Sequence, residues 1–477
     1  MECVLQKKVA PWHLLAAAIL AAVSMLPVGC QKPDPAAANQ PPQRPLNVLL
    51  ITVDTLRADR LGCYGYDKNT TPAIDSVARQ GTLFLNVMAP RGLTVPSLAT
   101  IMTGQYPVAH GVRGNSYKLP EENTYLAEIL RENGYACGAF LANELTWGKN
   151  WEGFEHIAKG DDETVVNDAL GWMEKKSGGP FFSWLLLYAP HRPFTPPVEY
   201  GRRFDPAYTE VADGEAQDYE LNGVTLAQQD LPQQKLQSVQ ALYDAEVAYT
   251  DALISRLLDW LKQKGLEDNT LVIITADHGE ELYDHFKYFY HFASMYGSAL
   301  HVPLILRLPN VIPRTARVPQ IVENLRIAPT ILGALVIQPP PTFQGDSLMP
   351  LAMGKHEAER PAVAEYEDQM LTIRVKDYRL IYNPQERHVM WINEAERHGR
   401  QGYAHLEYKP VELYDLRADP LEQTNIAAQR PELVKSLVGT LQVWQKKYGW
   451  EFGAKDVSII DQSLKEQMES LGYLPGG

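Results

Sequence analysis

The 477-residue chain is 45% hydrophobic and 21% charged, and 44 basic against 58 acidic side chains leave a net charge of -14. That is globular composition, long enough for one large α/β domain with a smaller appended one. The acidic balance excludes a nucleic-acid surface, which needs a concentrated basic stripe, and four scattered cysteines, Cys3, Cys30, Cys63 and Cys137, exclude a disulfide framework or a zinc finger.

Lys7 and Lys8 precede an Ala- and Leu-rich apolar stretch over residues 12–28, which ends at Gly29-Cys30. This is the pattern of a secretory signal over residues 1–30. Leu26-Pro27-Val28-Gly29 ahead of Cys30 resembles a bacterial lipoprotein cleavage site. The resemblance implies export and a lipid anchor on Cys30, with the protein on the periplasmic or outer-membrane face of the cell envelope. A plain signal peptide, or a short retained anchor, would share the pattern. Residues 31–46 are mostly Pro, Ala, Gln and Asn, a composition that buries too little apolar surface to order itself and reads as a tether.

Residues 47–54 (NVLLITVD), 181–188 (FFSWLLLY) and 271–277 (LVIITAD) are continuous apolar runs. Runs of this kind predict strands covered on both faces. Amphipathic stretches at 74–79, 126–133 and 236–264 predict helices between them; in the last, Leu242, Ala245, Ala248, Ala252 and Leu257 mark one face, with Asp244 and Asp251 on another. Alternating strands and helices predict a mostly parallel sheet between helix layers. Ligands of such sheets bind outside the carboxyl ends of the strands, so Asp54, His191, Asp277 and His278 are expected to converge on one edge. An acid that ends a strand also serves as a cap or turn former. Two of them with an adjacent histidine make a donor set for a divalent cation, which would also let the two carboxylates coexist.

Residues 91–106 read RGLTVPSLATIMTGQY. Pro96 and Ser97 suit the first turn of a helix through 98–102, and Gly104 can stop it. Thr94 is then expected just ahead of that turn, where free N–H groups stabilise negative charge. There it could act as a metal-bound hydroxyl nucleophile or simply cap the helix. Short strand-like runs at 362–366, 371–375 and 379–382, then ELYDL and a helix over 431–448, predict a small antiparallel sheet with a covering helix.

Four segments, in order, resemble the sulfatase family within the alkaline phosphatase superfamily: NVLLITVDTLRADRLGCYGYDKNTTPAIDSVARQGTLF, TVPSLATIMTGQYPVAHGVRGN, LYDAEVAYTDALISRLLDWLKQKGLEDNTLVIITADHGEEL and ELYDLRADPLEQTNIA. The resemblance implies an α/β alkaline phosphatase/sulfatase-like fold, with a catalytic domain over 47–358 and a C-terminal subdomain over 359–477. It implies hydrolysis of a sulfate or phosphate ester (mono-, di- or phosphonate) of a small molecule, glycan or lipid. Carried onto this chain, the metal ligands are Asp54, Asp277 and His278, with Thr94 completing the set. His191, in YAPHRPF, resembles the family's substrate-side histidine, though a structural loop role would suit it as well. His291 lies where related sequences carry a histidine close to the nucleophile. Arg113 and Asn115 are candidates for gripping ester oxygens or are solvated loop residues. His285 is metal-related or merely polar, and Glu280 and Glu281 support or cap.

Two departures from the family pattern bear on the chemistry. Sulfatases carry Cys or Ser where Thr94 stands, followed by an Arg-containing run, and convert it to formylglycine; here the run is Pro96-Ser97-Leu98, so formylglycine is not expected. A formylglycine hydrate expels sulfate by collapsing to the aldehyde, whereas a phosphothreonine is resolved by a second in-line attack. Thr94 therefore shifts weight towards phosphorus esters without excluding sulfate. His278 stands where calcium-type sulfatases usually carry Asn, and imidazole suits Zn or Mn better than Ca. His191, His285, His291 and His301 are available to a second metal, but LLLYAPHRPF lacks the Asp that a two-metal site would use, so one divalent ion is expected. A phosphoryl or sulfuryl transferase, or a non-catalytic envelope binding protein, would keep the same residues.

Overall fold

The computed structural model describes residues 45–142, 152–209, 230–287, 289–386, 389–392 and 403–452. The signal and Cys30 lie outside them, as does most of the polar stretch over 200–235, where an elaboration of the site mouth is expected. Among the described residues no helix is long and apolar enough to cross a membrane.

Eight strands make the main sheet: β1 (Asn47–Val53), β2 (Thr82–Met88), β3 (Ala136–Leu141), β4 (His156–Lys159), β5 (Phe181–Leu187), β6 (Thr270–Ala276), β7 (His301–Arg307) and β8 (Ala316–Glu323). Their order is β4-β3-β5-β1-β6-β7-β2-β8. The three runs singled out in the sequence, β1, β5 and β6, lie side by side at its centre and are buried along their whole length. Every pairing is parallel apart from those of β7 with β6 and β2. The fold is thus the mostly parallel α/β sheet that the alternating pattern predicts.

Register decides what meets at the carboxyl edge. Val53 lies opposite Leu187 on one side and Ala276 on the other, so Asp54, Tyr188 and Asp277 leave the sheet next to one another. β2 points the same way and delivers the chain to the helix that carries Thr94.

The helices used below are α1 (Pro72–Gln80), α2 (Thr94–Thr103), α3 (Asp162–Lys176), α4 (Gln233–Gln263) and α5 (Pro431–Tyr448). Asp244 and Asp251 of α4 do lie apart from its apolar stripe, yet both are buried, because the segment after β1 covers that second face. Asp244 pairs with Arg60 and Lys68, and Asp251 accepts the Ala73 and Ile74 N–H groups, two of the orphan donors at the start of α1.

The later residues form an antiparallel sheet in the order β14-β11-β10-β9, from β9 (Ala362–Tyr366), β10 (Met370–Val375), β11 (Tyr378–Tyr382) and β14 (Val411–Asp415). A separate pair joins β12 (Val389–Ile392) to β13 (Tyr403–Leu406). α5 lays Leu437, Leu441 and Trp444 over Leu371, Ile373, Leu380 and Leu413. Ala362 and Ala364 of β9 pack on Met88 and Ile321 of the main sheet and on Leu300 just ahead of β7. The Glu365 N–H bonds Pro90 O at 2.9 Å, which brings the small sheet against the loop that leads to Thr94.

Candidate active site at the carboxyl edge of the sheet

Asp54, Asp277 and His278 form a fully buried group whose donor atoms lie within 4.8 Å of one another. His278 Nδ1 sits 2.9 Å from Gly279 O, which places the ring proton there and leaves Nε2 as the lone-pair nitrogen. That Nε2 is 3.4 Å from Asp277 Oδ2 and 3.7 Å from Asp54 Oδ1. Gly279 follows because a Cβ there would come within 2.1 Å of Ser298 O. Asp277 Oδ1 accepts the N–H groups of His278 (2.8 Å) and Thr55 (3.3 Å). Asp277 Oδ2 and both oxygens of Asp54 have no hydrogen-bond partner among the described residues.

The electrostatics follow from that geometry. Burial, then the neighbouring charge of Asp277, pushes the Asp54 carboxyl well above the usual range; burial raises Asp277 as well, opposed by His278. Buried oxygens without donors are costly, and a divalent cation offsets both the missing donors and the mutual repulsion. The residues present therefore fit a metal. Sequence reasoning did not single out what aims them. Thr55 is β-branched yet has φ 55°, a strained left-handed turn. It is held by Tyr243, whose hydroxyl donates to Thr55 O (2.8 Å) and accepts from Arg57 N–H (3.0 Å). Ser97 Oγ donates to Asp277 O at 2.6 Å and accepts from Asn324 Nδ2 at 3.0 Å, tying α2 to the end of β6.

Thr94 is the first residue of α2 rather than the residue ahead of it, since Leu93 takes the extended N-cap conformation. The first four N–H groups of a helix have no partner within it, so Pro96 fits the third position as well as the first. That is why the helix starts earlier than the sequence suggests. Thr94 makes no capping bond; its Oγ1 lies 3.2 Å from His278 Nε2. The cap comes from Asn115, whose Oδ1 accepts the Val95 N–H at 3.0 Å. Gly104, at φ 62°, ends the helix as expected.

Three histidine rings continue from the acids. The centroids of His278 and His291 are 4.2 Å apart, and those of His291 and His191 5.3 Å. His291 Nδ1 faces Glu280 Oε1 at 3.3 Å, and His191 Nδ1 faces Arg192 O at 2.5 Å, so Nε2 is the unprotonated nitrogen of each neutral ring. Burial lowers His191 to about 3 and puts His291 well below its ordinary value. Tyr188 stacks on His191, and Tyr290 on His291.

The remaining candidates are engaged elsewhere. Arg113 pairs through Nε with Glu365 at 3.2 Å and bonds Glu367 O, so its guanidinium faces the small sheet. His285 bonds Glu281 and the carbonyls of Leu421 and Glu422, and His301 bonds Leu85 O at 2.9 Å. Neither joins the metal-type group. Glu281 accepts from Ser294, Ser298 and His285 and is not part of the metal-type group.

Comparison with known proteins agrees with this architecture. The profile of the Sulfatase family matches residues 46–337, and that of N-sulphoglucosamine sulphohydrolase, C-terminal, matches residues 285–447. Arylsulfatase K of Gallus gallus is 26% identical, over 84% of this chain and 83% of its own. N-acetylglucosamine-6-O-sulfatase of Bacteroides thetaiotaomicron is 24% identical, over 90% of each chain. The crystal structure of the phosphonate monoester hydrolase of Agrobacterium radiobacter superposes with a TM-score of 0.69 at 21% identity, over 85% of this chain and 96% of that one. With the family profile spanning most of the main sheet and both of its acids, the chain belongs to the sulfatase family, as a sulfatase-like ester hydrolase of the alkaline phosphatase superfamily.

Proposed function

We propose that the protein is an exported, metal-dependent hydrolase of phosphorus or sulfate esters in which Thr94 is the nucleophile. One observation carries the reading: Thr94 Oγ1 approaches the same His278 Nε2 that faces the unpartnered oxygens of Asp54 and Asp277. One divalent ion, Zn or Mn by the mixed imidazole, carboxylate and hydroxyl donor set, would be held by Asp54, Asp277, His278 and Thr94 and would favour the alkoxide of Thr94. The chain does the rest. The start of α2 turns the positive end of its dipole towards charge developing beside Thr94, while its Val95 and Ser97 N–H groups are already bonded to Asn115 Oδ1 and Leu93 O. The unprotonated Nε2 atoms of His191 and His291 accept a proton during attack, and the resulting imidazolium returns one to the leaving oxygen. A threonine ester of phosphorus is then resolved by in-line attack of water. The substrate is an ester of a small molecule, glycan or lipid, and the sulfatase names of the relatives make sugar sulfates the first sulfate esters to try. A catalytic domain over 47–358, a C-terminal subdomain over 359–477 and a lipid anchor on Cys30 belong to the same reading, the anchor supported by the sequence around residue 30.

The test is a parallel assay on nitrophenyl sulfate, phosphate, phosphodiester and phosphonate ester. Wild-type protein loaded with Zn or Mn is compared with Thr94→Ala and with chelator-stripped protein. Turnover of a phosphorus ester that disappears in both controls is the expected result; sulfate turnover that survives Thr94→Ala sinks the covalent mechanism.

A further inference from the structure

His191 lies on no helix or strand. It sits in the segment over 188–195, between β5 and the helix Val198–Phe204, so the anchoring of that backbone decides where its ring points. Within the segment the His191 N–H bonds Tyr188 O at 2.8 Å, and Arg192 Nη1 reaches Phe289 O at 2.8 Å. Two buried carboxylates from different helices hold the ends. Asp162, the first residue of α3, accepts the Tyr188 N–H at 2.7 Å and also that of Ala189. Glu246, in mid-α4, accepts the Thr195 N–H at 2.7 Å. They are 8% and 4% exposed, and neither forms an ion pair with a described Lys or Arg. Burial lifts Asp162 to about 7 and Glu246 well above the ordinary carboxylate range, with Asp162 adding to the latter.

Two acids kept at that cost need a reason, and packing does not supply one: an apolar residue on either helix would bury without penalty. What they provide is strong acceptors for backbone N–H groups at either end of one segment. From the geometry we infer that Asp162 and Glu246 are positioning residues for His191, clamping the two ends of the loop that sets its ring beside His291. The inference rests on the role proposed for His191. The clamp acts only through that ring, so its loss moves the ring and slows the proton step, while binding of the ester is left largely alone.

A double-mutant cycle tests this. On whichever nitrophenyl ester the wild type turns over, Asp162→Ala is expected to lower kcat about 10- to 100-fold with KM within about twofold. Asp162→Asn keeps an acceptor oxygen and restores kcat to within about threefold of wild type. In a His191→Ala background, Asp162→Ala and Glu246→Ala should each change kcat by less than about twofold, because the ring they position is gone. Equal losses in both backgrounds overturn the clamp, as does a folded Asp162→Asn as impaired as His191→Ala. A His191→Ala protein with wild-type kcat instead removes the role proposed for His191. The clamp then stands or falls on the ring signals of 15N-histidine-labelled full-length protein. The signal missing in His191→Ala should shift in Asp162→Ala and in Glu246→Ala, and an unmoved signal in folded variants overturns it.

Discussion

Asp54, Asp277 and His278 on one side, and Glu281, Glu422 and His285 on the other, are both sets of two buried acids with a largely buried histidine. Their surroundings differ. Glu281 accepts from Ser294 (2.6 Å), Ser298 (2.5 Å) and His285 (3.2 Å), and Glu422 takes the Gly297 N–H and pairs with Arg379 at 2.6 Å. The His285 ring lies flat on Tyr296 at 3.6 Å. In the first set three carboxylate oxygens have no donor among the described residues. The same residue types thus make a closed structural lock where hydrogen-bond donors and a guanidinium are supplied, Glu422 Oε1 facing Arg379 as an ion pair without a hydrogen bond, and an open site where both are withheld. Burial costs are offset within the lock; at the open site a divalent cation would offset them. The histidines follow: burial pulls His285 down, but the charge and hydrogen bond of Glu281 together with the charges of Glu422 and Asp284 raise it to about 9, whereas burial takes His191, beyond the open site, down to about 3.

The sharpest way to break this contrast is to neutralise one acid of the open site. Asp54→Asn or Asp277→Asn should lower kcat by about 10³-fold or more and remove bound metal, as measured by elemental analysis of the purified protein. The metal-free variant should nevertheless melt at a higher temperature than metal-free wild type. The sign follows from the raised carboxyls: a folded value above the unfolded 3.8 means that the charged forms weaken the metal-free fold at neutral pH. A lower melting temperature for metal-free Asp54→Asn would show that the site is closed like the other.

The lock predicts the opposite kind of change, in stability rather than turnover. His285 titrates at about 9 in the fold against an ordinary 6.5. Its contribution is therefore complete below the unfolded value and is lost as pH rises through about 9. That shift corresponds to about 3 kcal/mol at most. Denaturation midpoints of the wild type should fall between pH 7 and 10, and His285→Gln should flatten the fall while lowering stability at pH 7. A flat wild-type profile would mean that His285 and Glu281 are not paired in solution.

Much of the open site was legible because it is written at strand ends. β1, β5 and β6 are unbroken apolar runs, and a parallel register carries Asp54, Asp277 and the approach to His191 to one edge. α5 matched its sequence bounds because Pro431 opens it and Gly449, at φ 69°, closes it. What was not legible depends on partners far along the chain. Ser97 reads as an ordinary first-turn residue, and Asn324 as nothing in particular, until α2 and the end of β8 meet at the carbonyl of Asp277. His285 could have been a ligand by spacing alone; only Glu281 and the carbonyls of Leu421 and Glu422 settle what it touches. The start of α2 was misread by a few residues because Pro tolerates several first-turn positions.

Asn115 gives the smallest and most discriminating effect. The sequence offers it as a grip on ester oxygens, while its Oδ1 accepts the Val95 N–H at the start of α2. If capping is its work, Asn115→Ala costs about 1 kcal/mol of stability and leaves KM for the nitrophenyl ester nearly unchanged. kcat should fall by less than about tenfold, because the freed N–H lies beside Thr94 and still faces the developing charge. Thermal melts and Michaelis curves on the one variant separate the two roles: a KM increase without loss of stability would return Asn115 to the substrate. A stability loss with unchanged KM makes it the part of the open site that behaves like the lock, a polar group whose partner is already present in the fold.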